Sequence, residues 1–312
     1  MKPFAFVFPG QGSQVVGMLE AWGDNAAVRQ TLEEASTALG EDVGRLIREG
    51  PKERLDLTAN TQPAMLAAGI ACYRAWLAET AAKPDVVAGH SLGEYSALVA
   101  AEAISLADAL PLVRFRAEAM QEAVPVGAGA MAAILGLDAA AVGAGCAAAR
   151  EATGEVVSAA NFNDPRQTVI AGSKAGVDKA CELLKARGAK RALPLAVSAP
   201  FHSPLMKPAA ERLRERLATV AIAAPRIPVI DNIDVRIETE PAMIRDALYR
   251  QAYGPVRWEE TVRAIRARSV TDIFECGPGK VLSNLTRRID AGSESVAVHD
   301  PASLAAARAL LG

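Results

Sequence analysis

Three short apolar runs, each stopped by a glycine-containing turn, constrain what this chain can fold into more than any other feature. Phe4-Ala5-Phe6-Val7-Phe8 ends at Pro9-Gly10, Asp85-Val86-Val87-Ala88-Gly89 runs into His90-Ser91, and Val270-Thr271-Asp272-Ile273-Phe274-Glu275 precedes Gly277-Pro278-Gly279. Runs of this length with such punctuation read as buried strands. Helical patterns separate them: Leu19 through Ala27 to Leu39 with a break near Gly40, a long apolar stretch from Thr61-Gln62-Pro63 to Leu77, and Leu92 to Ala101. Proline is tolerated in a first helical turn, so Pro63 is expected to open its helix. Strands alternating with helices predict an α/β chain with a largely parallel sheet.

The pattern changes in the middle of the chain. After a linker-like Pro125-Val126-Gly127-Ala128-Gly129, the sequence predicts a strand over 130–135, a helix begun by Asp138 and running to Arg150, and a strand over 156–161. A turn at Asn163-Asp164-Pro165, a strand over 167–171, a helix capped by Ser173 to Arg187 and a strand over 189–195 follow. The order β-α-β-β-α-β is that of a ferredoxin-like unit. Residues 126–197 are therefore expected to form a small domain inserted into a larger one made of 1–125 and 198–312.

With 51% hydrophobic residues in 312, the chain can bury a substantial core. Its 34 Lys and Arg against 36 Asp and Glu speak against a general nucleic-acid binder or a polybasic membrane surface. The absence of an 18-residue apolar run speaks against a membrane span. The N-terminus enters the first strand run with no signal-peptide cleavage pattern, so the expected compartment is the cytoplasm. Cys72, Cys146, Cys181 and Cys276 are isolated, with no CxxC pair and no histidine at zinc-ligand spacing, which predicts no metal site.

The strongest chemical signal is Gly89-His90-Ser91-Leu92-Gly93. This G-x-S-x-G pattern, with a strand entering and a helix leaving, is the context of a nucleophile elbow. The geometry would lift the Ser91 hydroxyl from the sheet and aim the Leu92 N–H where an oxyanion forms. The plain alternative is a strand-to-helix turn with a serine cap. Gly10-Gln11-Gly12-Ser13-Gln14 does not complete a dinucleotide fingerprint, because position 15 is Val15. It is either a flexible loop or the source of a second oxyanion donor, the Gln11 N–H. Three histidines are present. His90 adjoins the nucleophile, where its side chain is expected to turn away, and His299 lies in the C-terminal tail. His202, in Ser198-Ala199-Pro200-Phe201-His202-Ser203-Pro204, remains as the base for Ser91.

Taken in order, several blocks resemble one family. They are Gly10 to Gln14, Thr61-Gln62-Pro63-Ala64, Gly89 to Tyr95, Arg116 with Met120-Gln121, Asn161, Phe201-His202-Ser203 and Gly277-Pro278-Gly279-Lys280. Together, and over essentially the whole chain, they look like the malonyl-CoA:acyl carrier protein transacylases, the acyltransferases of fatty acid synthesis. The resemblance implies an α/β-hydrolase-like large domain with a ferredoxin-like insert and the site between them. It implies Ser91 as nucleophile, His202 as general base, and Gln11 and Leu92 as backbone oxyanion donors. It further implies Arg116 as the group that binds the substrate carboxylate and Gln251 as the residue that orients the histidine through its main-chain carbonyl. Ala252 and Gly254, beside Gln251, are smaller than is usual in the family. The implied partners are malonyl-CoA and acyl carrier protein, with no nucleic acid and no membrane. No cofactor is implied, since phosphopantetheine arrives on the partner.

Two other readings remain at this stage. A stand-alone acyltransferase serving a polyketide synthase would carry the same motifs. A serine esterase or thioesterase would need an acid between Ser91 and His202 in the sequence, for which Asp164 is the candidate.

Overall fold

Alternation within the first strand sorts the core into two layers. In the computed structural model, which describes residues 2–312, β1 (Phe4–Phe8) buries every residue. Phe4, Phe6 and Phe8 face one hydrophobic cluster, and Ala5 and Val7 face another. This is the period of two of a strand covered on both sides. The elements that follow are α1 (Ala26–Leu39), α2 (Val43–Glu49), α3 (Lys52–Leu55), α4 (Thr58–Thr80), β2 (Val86–Gly89), α5 (Gly93–Ala100) and α6 (Leu106–Glu122). Next come β3 (Gly129–Leu135), α7 (Ala139–Thr153), β4 (Val157–Asp164), β5 (Gln167–Ser173), α8 (Lys174–Ala186) and β6 (Arg191–Pro194). The chain closes with α9 (Lys207–Leu217), β7 (Val229–Ile230), α10 (Pro241–Gln251), α11 (Trp258–Ala267), β8 (Asp272–Cys276), α12 (Val281–Ile289), β9 (Ala297–Val298) and α13 (Pro301–Leu311).

The expected parallel sheet is present, with order β7-β2-β1-β8-β9 and every neighbouring pair parallel. On the phenylalanine side lies α4, an Ala-rich helix buried around most of its circumference. Its Trp76 meets the Phe6 ring edge-on at 5.2 Å, a favoured aromatic geometry. On the Ala–Val side, Trp258, Val262 and Ile265 of α11 and Leu282 and Leu285 of α12 close the layer. A second sheet, antiparallel and of order β4-β5-β3-β6, carries α7 and α8. That strand order is the ferredoxin-like one, and the helix starts agree with the sequence: Asp138 accepts from Ala141 N and Ser173 from Gly176 N.

Several boundaries differ from the sequence reading: the helix expected from Leu19 begins only at Ala26, where Asn25 accepts from Ala27 N and Val28 N, and three others are instructive. Helix α4 begins at Thr58, before Pro63, because Asn60 N and Thr61 N both donate to Leu57 O, at 2.7 and 2.8 Å. Thr61 Oγ1 also donates to Leu55 O at 2.6 Å, so the first turn is already anchored where proline was expected to start it. Strand β4 continues to Asp164, past the expected turn at Asn163. Part of the reason is that Phe162 N donates to Val256 O at 2.9 Å and Val256 N donates to Ala160 O at 2.8 Å, which tethers this strand to the segment after α10. Strand β6 is shorter than expected, at Arg191–Pro194. No helix among the described residues is long and apolar enough to cross a membrane.

The approach of α5 to the sheet fixes two residue types. A Cβ on Gly89 would lie 1.8 Å from Gly93 C, and one on Gly93 would lie 2.0 Å from Phe8 O. Both contacts are with backbone, which cannot swing aside. Gly93→Ala is therefore expected to destabilise the fold by at least the roughly 1–3 kcal/mol typical of overpacking. A lowered denaturant midpoint would register it, and a variant as stable as the parent would mean that α5 shifts freely.

Candidate active site

The turn between β2 and α5 places Ser91 at φ 54, a left-handed conformation that is uncommon for a residue with a side chain. Neighbouring amides hold it there. Asn232 accepts from Ser91 N at 2.7 Å through Oδ1 and donates to Gly89 O at 2.7 Å through Nδ2. Gln251 Nε2 donates to Ser91 O at 2.9 Å. The elbow is thus clamped on both sides of the serine by side chains from the later half of the chain.

His202 also has positive φ, 59, in a loop pinned by Ser203 Oγ donating to Pro200 O at 2.7 Å. Its Nδ1 faces two carbonyls, Gln251 O at 2.9 Å and Gly254 O at 3.2 Å. Nδ1 therefore carries the proton, and Nε2 accepts from Ser91 Oγ at 2.7 Å. Burial, followed by the charge of Arg116, pushes the imidazole down to about 3, so it is neutral and able to take a proton. Among the described residues, no carboxylate stands behind this histidine. Asp164, the acid an esterase would require, instead accepts from Arg288 Nε at 2.6 Å and Arg166 N at 2.8 Å.

Arg116 comes from α6 and is only 2% exposed. Its guanidinium donates to Gln62 Oε1 at 2.8 Å, Gln251 Oε1 at 3.0 Å and Ser91 Oγ at 3.2 Å, and lies over the Tyr95 ring at 5.4 Å. Its Nε has no hydrogen-bond partner among the described residues. A buried cation served only by neutral groups is a site prepared for an anion. Gln11 and Leu92 line the same cavity, of about 130 Å³, and their main-chain N–H groups donate to no acceptor among the described residues. The Gln11 loop is secured by its Nε2 donating to Thr58 Oγ1 at 3.2 Å, and Thr58 in turn pairs with Ser198 at 3.0 Å.

Five of the six residues singled out from the sequence, Ser91, His202, Gln11, Leu92 and Arg116, line one cavity, and the sixth, Gln251, stands behind it, bonded to Ser91, Arg116 and His202. His90, expected to turn away, lines that cavity too, but its Nε2 is bonded to Asn163 Oδ1 at 2.8 Å and is not directed at the serine. His299 lies elsewhere, against Asp300. Sequence reasoning gave no role to Asn232, Glu94 or Gln62. Asn232 lies two residues past the β7 run Val229-Ile230, and the carboxyl ends of parallel strands are where such sites gather, which is the signal that could have found it. Met120, Met131, Leu195, Val197 and Phe201 supply the apolar remainder of the wall.

A parallel α/β core with a serine elbow, a neutral histidine and a buried arginine defines a serine-dependent acyl-group enzyme. The chain belongs to the acyl transferase domain family, which it matches over residues 5–298. It is 52% identical over 308 residues to the malonyl CoA-acyl carrier protein transacylase of Salmonella typhimurium, covering 98% of this chain and 99% of that one. Among solved structures, the acyl-carrier-protein S-malonyltransferase of Burkholderia pseudomallei superposes with a TM-score of 0.96 at 63% identity, covering 98% of this chain and 99% of that one. A malonyl-transacylase in complex with a type II PKS acyl carrier protein superposes equally well, at 0.96 and 49% identity, covering 98% and 99%.

Proposed function

We propose that this protein transfers malonyl from malonyl-CoA to the phosphopantetheine thiol of an acyl carrier protein through a malonyl-serine ester, supplying fatty acid synthesis. The observation that carries the reading is Arg116: a buried guanidinium donating to the hydroxyl of the serine that the histidine also meets. In the first half-reaction Ser91 Oγ attacks the thioester carbonyl while His202 Nε2 takes its proton. The oxyanion is met by the N–H groups of Gln11 and Leu92, and the proton passes to the departing coenzyme A sulfur. In the second half-reaction His202 deprotonates the incoming thiol, the thiolate attacks the ester carbonyl, and the imidazolium returns the proton to Ser91 Oγ as the ester C–O bond breaks. Gln251 O holds the imidazole in the tautomer both steps require.

Arg116 pairs with the malonyl carboxylate by two parallel hydrogen bonds, exchanging its glutamine partners for a charged one. This pairing also tunes the base. The arginine charge is the second cause of the lowered His202, so neutralising it makes the imidazole a better proton acceptor once substrate is bound. The reaction so written needs no cofactor of its own. The carbonyls behind His202 disfavour the esterase reading, which calls for a carboxylate there. We also take residues 126–197 as a separate inserted domain, since both ends of that excursion abut site residues, with Arg116 before it and His202 after. A cytoplasmic location accords with the metabolites involved.

The test is a transfer assay with malonyl-, acetyl- and methylmalonyl-CoA and an isolated carrier protein. Malonyl is expected to be the preferred donor, and water a poor acceptor. In Arg116→Ala the malonyl rate is expected to fall steeply while acetyl transfer is spared or improved, and Arg116→Lys recovers only part. An unchanged malonyl-to-acetyl ratio of kcat/KM in Arg116→Ala would remove the carboxylate role.

A further inference from the structure

Glu94 is a buried acidic side chain, bonded to the residues that hold Ser91 and His202, that the reaction above leaves without a task. We propose that Glu94 is a positioning residue: a single carboxyl oxygen gathers the two amide-bearing residues that hold Ser91 and His202, and so sets the geometry of the nucleophile and its base. The proposal rests on the assignment of Ser91 and His202 given above.

Glu94 stands in the first turn of α5, three residues after the serine, and is 2% exposed. Its Oε2 accepts from Asn232 N at 2.9 Å and from Gln251 Nε2 at 3.0 Å. Through Asn232 it reaches the elbow, because that side chain holds Ser91 N and Gly89 O. Through Gln251 it reaches the rest of the site. The same Nε2 also holds Ser91 O, Oε1 takes a hydrogen bond from Arg116, and the main-chain carbonyl holds His202 Nδ1. Glu94 is not among the residues that line the substrate cavity, so it touches no reacting atom and acts only through these two neighbours.

The groups facing Glu94 are Arg116 from α6, and Asp231 and Glu238 from the segment after β7. Burial, reinforced by the charge of Asp231, pushes the carboxyl up to about 8. The group is then mostly the neutral acid near pH 7, and what it offers Asn232 and Gln251 is a carbonyl-type acceptor. A glutamine offers the same acceptor in nearly the same volume. A methionine fills the volume without it, and an aspartate withdraws it by one methylene.

The experiment measures the rate of Ser91 acylation by malonyl-CoA, in the absence of carrier protein, for wild type and three variants. Glu94→Met and Glu94→Asp are expected to lose about 100-fold in the acylation rate constant, the scale of a misplaced reacting group, with malonyl-CoA binding changed little. Glu94→Gln is expected to recover at least a third of the wild-type rate. Equal rates in the glutamine and methionine variants, whether both high or both low, would overturn the proposal. If Glu94→Met does not fold, the other two decide: a folded Glu94→Gln impaired as much as Glu94→Asp overturns it as well. Failure of the wild-type protein to form a malonyl adduct on Ser91 would instead overturn the functional assignment, so the two failures are separable.

Discussion

Ser91→Ala is expected to show no malonyl adduct and to reduce carrier-protein malonylation to background. Removing a nucleophile that acts as a unit with its base costs on the order of 10⁶-fold in a serine enzyme, and what remains comes from the oxyanion donors and binding. The fold should survive, because the clamps on the turn engage Ser91 through its main chain: Asn232 on its N–H and Gln251 on its carbonyl. Mass spectrometry after incubation with malonyl-CoA, without carrier, checks this directly. The wild-type adduct belongs on the peptide containing Ser91. An adduct on a cysteine, or one that persists in Ser91→Ala, would mean that the elbow does not carry the acyl group. The cysteines are poor competitors, since burial pushes the Cys72 thiol up to about 12 and Cys146 up to about 11.

His202→Ala is expected to slow both half-reactions by roughly 100- to 10,000-fold, since the same imidazole serves the serine and the incoming thiol. Its pH signature is distinctive. With His202 held at about 3 in the free protein, kcat/KM should stay level through the ordinary histidine range and fall only in strong acid. Once malonyl occupies Arg116, the acid limb of kcat should move to higher pH than that of kcat/KM. Stability follows the same shift. Below about pH 6.5 the unfolded chain protonates this histidine and the folded one does not. Stability is therefore lost as pH falls from that value toward 3, and His202→Ala should soften that loss. An acid limb of kcat/KM near pH 6.5, or a variant within a few-fold of wild type, would move the base elsewhere, with His90 the next residue to examine.

How much of this was legible in the sequence differs from element to element. Strands β1, β2 and β8 were readable because each is a short apolar run with a glycine turn at its end, and the ferredoxin-like order because Asp138 and Ser173 sit at real helix starts. The start of α4 was misread because Pro63 looks like a first-turn residue, whereas side-chain and backbone bonds around Leu55 and Leu57 begin the helix earlier. Ser91 and Leu92 announce themselves through local spacing. His202 could be reached by elimination, because three histidines leave few choices. Arg116, Gln11 and Gln251 became legible through the ordered resemblance to a family. Asn232 has only the short β7 run before it as a local signal, and Glu94 lies in the motif block around Ser91 with nothing in that block to mark its role. Their importance arises from contacts made across 138 to 157 residues of chain, which no window of sequence contains.

Those separations also bear on when a newly made chain can work. Ser91 meets His202 across 111 residues and Gln251 across 160, and β1 lies between β2, which emerges early in synthesis, and β8, which emerges late. Until Asp272–Cys276 is available, one edge of the central strand has no neighbour, and His202, Asn232 and Gln251 themselves emerge long after the serine turn that they engage. Closing contacts of such length is slow relative to local helix formation. Catalytic competence in this architecture is therefore a late event in the life of the polypeptide, and turnover is a readout of finished folding.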